Sequence, residues 1–323
     1  MLKKITDYAV GQEMDLPVLI KVAQVRQTRA GKPYLAMVLA DSSGDIRGNF
    51  WRVNQQDIAT FTPGTIVELN GKIEEYHGQA QVNVYGLRVV GPDEGLSVDD
   101  FVKSTQLSAA ELEAGINEKV FAILNPTWNR IVRYLLKKWH QRFFDYPAGK
   151  HNHHALRGGL ALHTLTMLKD AEGLCAVYPQ LDSSLLYAGC ILHDMGKVLE
   201  LSGPAATQYT TEGNLVGHLV LIDEQIVLAA HELKIKPDSE DLLLLRHLVL
   251  SHHGKFEYGS PKLPALLEAE ILHRIDDLDA TVNAVSAALT SVAPGHFTAP
   301  LPAQDNRRFY RPKHDEAIKK FKQ

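Results

Sequence analysis

The sequence predicts a chain of two domains, a small β-barrel followed by an all-helical domain. The 323 residues exceed one ordinary small domain and suit two. Apolar residues alternate with period two from Met14 to Val90, which is typical of half-buried strands. After Gly95 the apolar spacing becomes helical. Nothing in that remainder alternates like a strand, so we expect helices there.

Five strands are predicted in the barrel, separated by short turns rich in Gly, Pro, Asp and Ser. A short helical segment, Asn54 to Phe61, lies between the third and fourth strands. Five strands with a helix at this place match the OB-fold, a small barrel that binds single strands. The predicted strands cover residues 16–22, 34–39, 46–53, 66–73 and 81–90, with a hairpin near His77-Gly78.

Aromatic and basic side chains lie on the second and third predicted strands and in the loop before them. Rings that stack beside basic side chains are how such surfaces hold unpaired bases. Phe50 and Trp51 are consecutive on one strand and point to opposite faces, so at most one of them is core. Packing in the barrel is the alternative role for these rings. The predicted nucleic-acid contacts are Arg26, Lys32, Tyr34, Phe50 and Trp51.

Composition and charge limit the partners and the cellular compartment that we expect for this protein. The net charge of −4 means that nucleic-acid binding must come from local patches and not from an overall basic field. Cys175 and Cys190 are the only cysteines and lie in apolar helical segments, which predicts buried free thiols of a reducing compartment. No stretch approaches about 20 uncharged apolar residues, and the first residues lack an apolar signal core. We expect a cytoplasmic protein without a membrane partner.

Turn residues and helical periodicity divide the rest of the chain. Gly91-Pro92-Asp93-Glu94-Gly95 ends the barrel, and the capping box Ser108-Ala109-Ala110-Glu111 begins the first long helix. We expect a barrel domain at 1–95, a linker with lead-in helices at 96–150, a second domain at 151–303 and a basic tail at 304–323. The predicted long helices are 108–124, 127–144, 160–178, 183–192, 216–233, 240–251 and 265–289.

The tail holds seven Lys and Arg residues against three acids, with Phe309 and Tyr310 between them. A basic segment with rings can follow a phosphate backbone. A solvated terminus with little fixed structure is the alternative.

The pair His193-Asp194 lies in an apolar run that ends in Gly196-Lys197. Burying a carboxylate beside an imidazole costs several kcal/mol unless a cation compensates, and a metal ion is the usual compensation. Imidazole and carboxylate ligands without thiolate favour Mn²⁺, Fe²⁺ or Mg²⁺ and argue against a structural zinc site. The other candidate ligands, each in or beside an apolar helical stretch, are His163, His218, His252, His253 and Asp276.

The same pair suggests a reaction. Asp194 has two oxygens and can bridge two ions, and a metal pair supplies the hydroxide and the neutralising charge that phosphodiester cleavage needs. Lys197 follows Asp194 by three residues and projects from the same helix face, where it can hold a phosphate oxygen. We therefore expect Asp194 and Lys197 as the catalytic residues. For His218 taken alone, a hydrogen-bonded core histidine is the alternative, and Asp277 and Asp279 can equally be solvated helix charges.

These residues resemble a known family. His163, His193-Asp194 and Asp276 resemble the motif of the HD superfamily of metal-dependent phosphohydrolases, which has an all-helical fold. The run from Lys150 to His154 (Lys-His-Asn-His-His), followed by Gly158-Gly159 and His163, is similar to that of the YhaM-type 3′→5′ exoribonucleases. Those proteins also place an OB-fold before the HD domain.

The resemblance implies roles for individual residues. One metal would use His163, His193, Asp194 and Asp276. A second metal would share Asp194 and add His218 with His252, or His253 in its place. Asp279 would support the ligands. Lys150, His153 and His154 would line the mouth of the site and contact the phosphate chain.

One departure from a related branch of the family is informative. HD proteins that cut cyclic dinucleotides can carry an acidic ligand one turn before the first histidine, and Gly159 stands at that place here. No third metal is therefore expected.

The resemblance implies a Mn²⁺-dependent exonuclease, with Fe²⁺ or Mg²⁺ as alternatives, that removes nucleoside monophosphates from the 3′ end of single-stranded RNA. Single-stranded DNA is a further candidate substrate, the barrel would hold the strand, and a homo-oligomer is expected. The first alternative function is an HD-type nucleotide or cyclic-nucleotide phosphohydrolase, which leaves the barrel without a purpose. The second is a non-catalytic single-strand-binding regulator whose helical domain is a scaffold.

Overall fold

The computed structural model of the protein describes residues 3–76, 79–150 and 154–314. The chain forms two compact units. The first comprises Met1–Ser104 with Gly203–Thr207, and the second comprises Thr105–Ser202 with Gln208–Gln323. The first is a β-barrel and the second is built from helices. The predicted fold class is confirmed.

The first unit contains a closed five-stranded barrel with the strand order β1-β2-β3-β5-β4. Neighbouring strands are antiparallel except β3 and β5, which are parallel, and alternate side chains point into the barrel and form its apolar core. The predicted hairpin at His77-Gly78 lies outside the described residues. The elements are β1 (Glu13–Gln27), β2 (Pro33–Asp41), β3 (Gly44–Trp51), the short helix α1 (Gln55–Thr60), β4 (Ile66–Tyr76) and β5 (Gln79–Val89).

A small apolar cluster extends the first unit beyond the last strand. Phe101 and Val102 are buried and pack with Leu19 of β1, and Ala205 packs against the same cluster. Burial of these side chains explains why the first unit reaches Ser104 and includes Gly203–Thr207. The boundary at Ser104 lies inside the segment 96–150 that the sequence predicts to be a linker with lead-in helices.

Helices form the second unit around one large apolar core. The predicted capping box is present, since the Ser108 hydroxyl accepts from the Glu111 amide and the Glu111 carboxylate accepts from the Ser108 amide. Two short helices, α6 and α7, were not predicted because four or five residues contain too few positions to show an apolar period. The helices are α2 (Ala109–Ala122), α3 (Pro126–Asp145), α4 (Gly159–Val177), α5 (Ser183–Leu192), α6 (Lys197–Glu200), α7 (Thr211–Leu215), α8 (His218–Glu232), α9 (Glu240–Ser251) and α10 (Leu267–Thr290).

The described part of the basic tail is folded. The Thr298 amide donates to the Phe309 carbonyl and the Arg311 amide to the His296 carbonyl, so the chain pairs back on itself. The guanidiniums of Arg307, Arg308 and Arg311 donate to main-chain carbonyls of the same region. Three of the seven basic side chains therefore stabilise this segment, and residues 315–323 lie outside the described part.

Among the described residues, none of the helices combines the length and the apolar character that crossing a membrane requires.

Candidate metal centre

Several helices bring the predicted ligands together in the second unit. His163 lies in the second turn of α4, His218 is the first residue of α8, and Asp276 lies within α10. The sequence predicts Asp194 and Lys197 on one helix face, and the structure corrects this prediction, because Lys197 begins the next helix. Helix α5 ends at Leu192, so His193 caps it and Asp194 lies in the turn that follows. In this turn His193 Nε2 and Asp194 Oδ2 lie 3.5 Å apart, so both side chains reach the cluster.

The first group of ligand atoms surrounds the ring of His163. Its Nε2 lies 3.2 Å from His193 Nε2, 3.2 Å from Asp276 Oδ1 and 3.6 Å from Asp194 Oδ2. Ligands that bind one divalent ion at about 2.1 Å are about 3 Å apart when their bonds meet at right angles. The spacing in this group therefore fits a single ion.

The second group faces the other oxygen of Asp194. Asp194 Oδ1 lies 3.4 Å from His218 Nε2 and 3.8 Å from His252 Nε2. His218, His252 and His253 also offer three nitrogen atoms within 4.8 Å of one another. Asp194 thus presents one oxygen to each group, which is the arrangement that a carboxylate bridging two ions requires. Both His252 and His253 are in reach, so the choice between them stays open.

The Nδ1 atoms of the histidines are occupied by hydrogen-bond acceptors. His193 Nδ1 lies 3.0 Å from the Cys190 carbonyl, His252 Nδ1 lies 2.7 Å from the Val249 carbonyl, and His253 Nδ1 lies 2.6 Å from the Tyr258 carbonyl. A ring that donates from Nδ1 keeps the lone pair of Nε2 for a ligand. These contacts orient the rings for metal binding through Nε2.

Among the candidate ligands, two Nε2 atoms have no hydrogen-bond partner in the described part of the chain. They belong to His218 and His252, and both are buried. A buried polar atom without a partner is costly, and a divalent ion offers the compensation. The imidazole and carboxylate donors are also the set that Mn²⁺ and Fe²⁺ accept. The residues present therefore fit a metal pair.

The pKa values of the cluster reflect the same electrostatic field. Burial acts to raise the pKa of Asp194, but the charges of Lys197 and His193 outweigh it and hold that pKa well below its usual value. Burial acts to lower the pKa of His163, but hydrogen bonds to Asp276 and Asp279 raise it to about 10. The cluster therefore favours a cation, either a proton on His163 or a metal ion.

Lys197 is paired with Asp194. Its Nζ lies 2.6 Å from Asp194 Oδ2, and its side chain is 13% exposed. The predicted proximity of these two residues is present, and the pairing leaves the ammonium beside the ligand groups. Contact between Lys197 and a phosphate oxygen stays a prediction.

Asp279 connects His163 to a second layer of side chains. Its Oδ2 lies 2.6 Å from His163 Nδ1 and 2.9 Å from His154 Nε2. Asn283 donates to the Asp279 carbonyl and lies 3.0 Å from the His154 ring. His154 is thus buried behind His163, and its predicted contact with the phosphate chain stays a prediction. The structure gives Asp279 the ligand-supporting position that the family resemblance implies.

Sequence reasoning missed two supporting residues. Glu200 Oε1 lies 3.0 Å from His218 Nδ1, and His273 Nδ1 lies 3.0 Å from the His252 carbonyl. An acid inside the apolar run Val198-Leu199-Glu200-Leu201 was the available signal for Glu200, because a buried carboxylate needs a donor. His273 has no comparable signal in the sequence, since its partner is a distant main-chain atom.

Glycine at position 159 has a steric reason. A Cβ built on Gly159 would lie 2.0 Å from the His154 carbonyl oxygen. Any side chain there would displace the backbone of His154, whose ring contacts Asp279. The position at which a related branch carries an acid is therefore closed to side chains in this chain.

The two consecutive rings of the predicted nucleic-acid surface point to opposite sides of strand β3, as the alternation of side chains along a strand requires. Trp51 is 42% exposed and stacks against Tyr34, with ring centroids 4.5 Å apart. Phe50 faces the core side and packs edge-on against Phe61. Phe50 is thus the packing residue of the pair, and its predicted contact with nucleic acid conflicts with this position. Trp51 is the exposed ring of the pair, which suits contact with a base.

Basic side chains adjoin these rings. A pocket is lined by Thr28, Lys32, Pro33, Trp51 and Arg52. Arg26 lies opposite Tyr34 in the β1–β2 ladder and is exposed. The structure therefore brings Arg26, Lys32, Tyr34 and Trp51 to one part of the barrel surface. Their contact with nucleic acid stays a prediction.

The remaining predicted substrate contacts are Lys150 and His153. Lys150 Nζ donates to Gln208 Oε1 at 2.7 Å and lies 5.8 Å from the centre of the Tyr209 ring. His153 lies outside the described residues. Tyr209 is half exposed and has no role in the sequence-based prediction.

Comparison with known proteins identifies the family. A model described as an HD domain matches residues 160–281, and one described as an OB-fold nucleic acid binding domain matches residues 18–90. Proteins named 3′-5′ exoribonuclease YhaM from Bacillus licheniformis and Bacillus subtilis are 46% and 45% identical over 312 residues, which cover 97% of this chain and 99% of each relative. The chain belongs to the YhaM family. The family prediction is confirmed, and with it the prediction that the chain is an enzyme.

A further relative agrees with this assignment. The YhaM protein of Bacillus pumilus is 46% identical over 316 residues, which cover 98% of this chain and all of that relative. In this YhaM chain, the HD match includes both His163 and Asp276, and the OB-fold match includes both Arg26 and Trp51. A solved OB-fold domain of replication protein A from Methanococcus maripaludis covers 28% of this chain and 95% of its own, at 19% identity and a TM-score of 0.24, which is too low to carry an argument.

Proposed function

We propose that this chain is a metal-dependent 3′–5′ exoribonuclease that hydrolyses single-stranded RNA to nucleoside monophosphates and also accepts single-stranded DNA. Membership of the YhaM family supports the direction and the RNA substrate. The observation that carries the proposal is the position of Asp194, whose two oxygens face two separate groups of imidazoles. A carboxylate held between two such groups suits a two-ion phosphodiesterase.

Bound divalent ions would supply a water of lowered pKa and neutralise the charge that develops on the phosphate. His163, His193, Asp194 and Asp276 would hold one ion. Asp279 contributes to this group by orienting the ring of His163, whose Nδ1 contacts the Asp279 carboxylate.

The second ion would be held by Asp194, His218 and His252 or His253. Lys197 limits the negative charge on Asp194 and would add a positive charge where we expect the scissile phosphate to lie. Single-stranded bases would stack on Trp51, with Lys32 and Arg26 facing the backbone.

We propose Mn²⁺ as the resident metal, with Fe²⁺ and Mg²⁺ as the alternatives. The donors are imidazole nitrogen and carboxylate oxygen, a mixture that suits Mn²⁺ and Fe²⁺ better than the all-oxygen sites typical of Mg²⁺. Activity after dialysis against EDTA and addition of each ion separately ranks the three. We also propose a cytoplasmic homo-oligomer, which mass measurement in solution tests.

The decisive test uses one oligoribonucleotide labelled at either end. With Mn²⁺, we expect the 3′ label to appear at once as a mononucleotide, while the 5′ label appears in a ladder of shortening strands. EDTA should abolish both patterns, and Mn²⁺ in excess should restore them. Early release of a 5′-labelled mononucleotide, or turnover that EDTA leaves intact, would contradict the proposal. The same strand made of DNA tests the second substrate.

Two further measurements separate the alternative functions. A nucleotide phosphohydrolase would turn over a panel of mononucleotides and cyclic nucleotides and leave the oligonucleotide intact. A non-catalytic regulator would retain single strands in EDTA and yield no product under any condition.

Trp51→Ala should weaken strand binding by about 5- to 150-fold, since stacking of one base on an aromatic ring contributes roughly 1–3 kcal/mol. The ring is exposed and makes one hydrogen bond, to Asn83, so we expect little change in folding. Fluorescence anisotropy of a labelled oligonucleotide in EDTA measures the Kd without turnover. Tyr76→Ala removes another exposed ring, at the end of β4, and serves as the matched control. If Trp51→Ala and Tyr76→Ala bind the oligonucleotide with the same Kd, the predicted surface is rejected.

A further inference from the structure

Glu200 is a buried carboxylate that contacts one residue of the metal centre twice. It is the last residue of α6 and is 9% exposed. Its Oε1 accepts from the His218 amide at 3.1 Å and lies 3.0 Å from His218 Nδ1. A carboxylate is acceptor-only when ionised, so the ring donates from Nδ1. Both donors of His218 therefore converge on one oxygen.

The amide contact fixes the start of helix α8. His218 is the first residue of that helix, and its N-cap is Gly217, which has no side chain to accept a hydrogen bond. The first amides of a helix have no partner within the helix. Glu200 supplies that partner from α6, so it fixes the backbone from which the His218 ring projects.

The ring contact fixes the other nitrogen of the same ring. With Nδ1 donating to Glu200, the lone pair of Nε2 faces Asp194 Oδ1 at 3.4 Å. This Nε2 is buried and has no hydrogen-bond partner among the described residues. Glu200 therefore holds His218 in the tautomer and orientation that a metal ligand needs.

The position of Glu200 is itself restrained. Its carbonyl accepts from the Thr210 amide at 2.9 Å, and the backbone of Gly213 passes so close that a Cβ there would lie 2.3 Å from the same carbonyl oxygen. Helix α6 therefore cannot rotate freely. A restrained carboxylate orients its partner ring more sharply than a mobile one.

His218 differs from the other histidines of the second group. The Nδ1 atoms of His252 and His253 contact main-chain carbonyls, of Val249 and Tyr258. A main-chain carbonyl remains when the side chain of its residue is substituted. The partner of His218 is a side chain, which a single mutation can remove. The second group can therefore be altered selectively through Glu200.

We propose that Glu200 is a positioning residue for the second metal ion, acting through His218. This inference rests on the proposed two-ion function, because it assigns a role toward an ion which that function requires. Glu200 is expected to raise the affinity for the ion shared by Asp194 and His218. It should leave the ion of His163, His193 and Asp276 unaffected.

The experiment counts Mn²⁺ ions on the full chain, with Mn²⁺ alone as the probe. Equilibrium dialysis gives the two binding constants, and electron paramagnetic resonance detects coupling between two bound Mn²⁺ ions. For Glu200→Ala we expect the weaker binding constant to fall by about 10- to 100-fold, loss of the coupled signal at limiting Mn²⁺, and an unchanged tighter constant.

Two further variants keep the inference testable. Glu200→Gln keeps the shape and one acceptor oxygen but loses the charge, so we expect partial rescue, with a loss of about 3- to 10-fold. Asp223→Ala removes a carboxylate on the same helix, α8, that pairs with Arg246 away from the ligands, and should bind Mn²⁺ as the wild type does. Circular dichroism of the metal-free proteins establishes folding, and Glu200→Gln decides the matter if Glu200→Ala does not fold.

The outcomes separate this inference from the proposed function. Two wild-type binding constants in folded Glu200→Ala would overturn it, and so would a wild-type chain that binds a single Mn²⁺. A wild-type chain that binds two coupled ions, loses one through Glu200→Ala and yet degrades no RNA would support the inference and reject the proposed exonuclease.

Discussion

Asp194→Ala is expected to abolish RNA hydrolysis while leaving strand binding intact. Asp194 faces both groups of ligand atoms, with Oδ2 toward His163 and Oδ1 toward His218. Under the proposed two-ion function, removing it would take a ligand from both ions at once. Several kcal/mol of transition-state stabilisation come from such ions, so the rate constant should fall by more than about 1,000-fold. Single-turnover cleavage of labelled RNA measures this loss, and anisotropy in EDTA measures the retained binding.

A second variant separates chemistry from stability in this test. Asp194→Ala leaves the partly buried Lys197 ammonium without its carboxylate, which costs up to roughly 3–5 kcal/mol of folding stability. Asp194→Asn keeps the side-chain volume and one acceptor oxygen for Lys197, and it should be as inactive while more stable. Asp223→Ala, which breaks an ion pair outside the ligand groups, should remain active. Turnover by folded Asp194→Asn near the wild-type rate would remove the metal pair from the mechanism.

The sequence was most informative where local patterns decide the structure. The barrel strands were predicted because their inward residues alternate with period two, and the first helix because Ser108 and Glu111 satisfy each other's amides. The ligands were predicted because polar residues such as His193 and Asp194 stand out in an apolar run. Their convergence into two groups around Asp194 is present in the structure.

Contacts between distant segments were beyond such reasoning. The partner of His218 is Glu200, eighteen residues earlier, and no local pattern pairs them. The pairing of Thr298 with Phe309 was also missed, because isolated bridges have no strand-length alternation to detect. The orientation of the His218 ring depends on its contact with Glu200, so the sequence predicted this candidate ligand without the contact that orients it.

Glycine at position 196, within the run His193-Asp194-Met195-Gly196-Lys197, shows how closely the ligand segments approach each other. Its φ of −59° and ψ of −19° are open to any residue, so conformational freedom is not the reason for glycine here. A Cβ at this position would lie 2.2 Å from the His218 carbonyl oxygen and 3.1 Å from its Cα. The start of α8 therefore passes directly over Gly196, and this contact is what brings His218 to Asp194.

Gly196→Ala should consequently damage the site by steric clash alone. The added methyl must push the start of α8 away, and a displacement of about 1 Å in a catalytic group can cost on the order of 100-fold in rate. Overpacking should also lower the free energy of unfolding by about 1–3 kcal/mol. Gly173→Ala is the matched control, because that glycine lies within α4 and its Cβ would meet nothing within 4 Å. It should keep full activity and gain about 0.4–1 kcal/mol. Cleavage rates and urea unfolding of both variants test the argument, and a fully active Gly196→Ala protein would show that α8 does not need this contact to place His218.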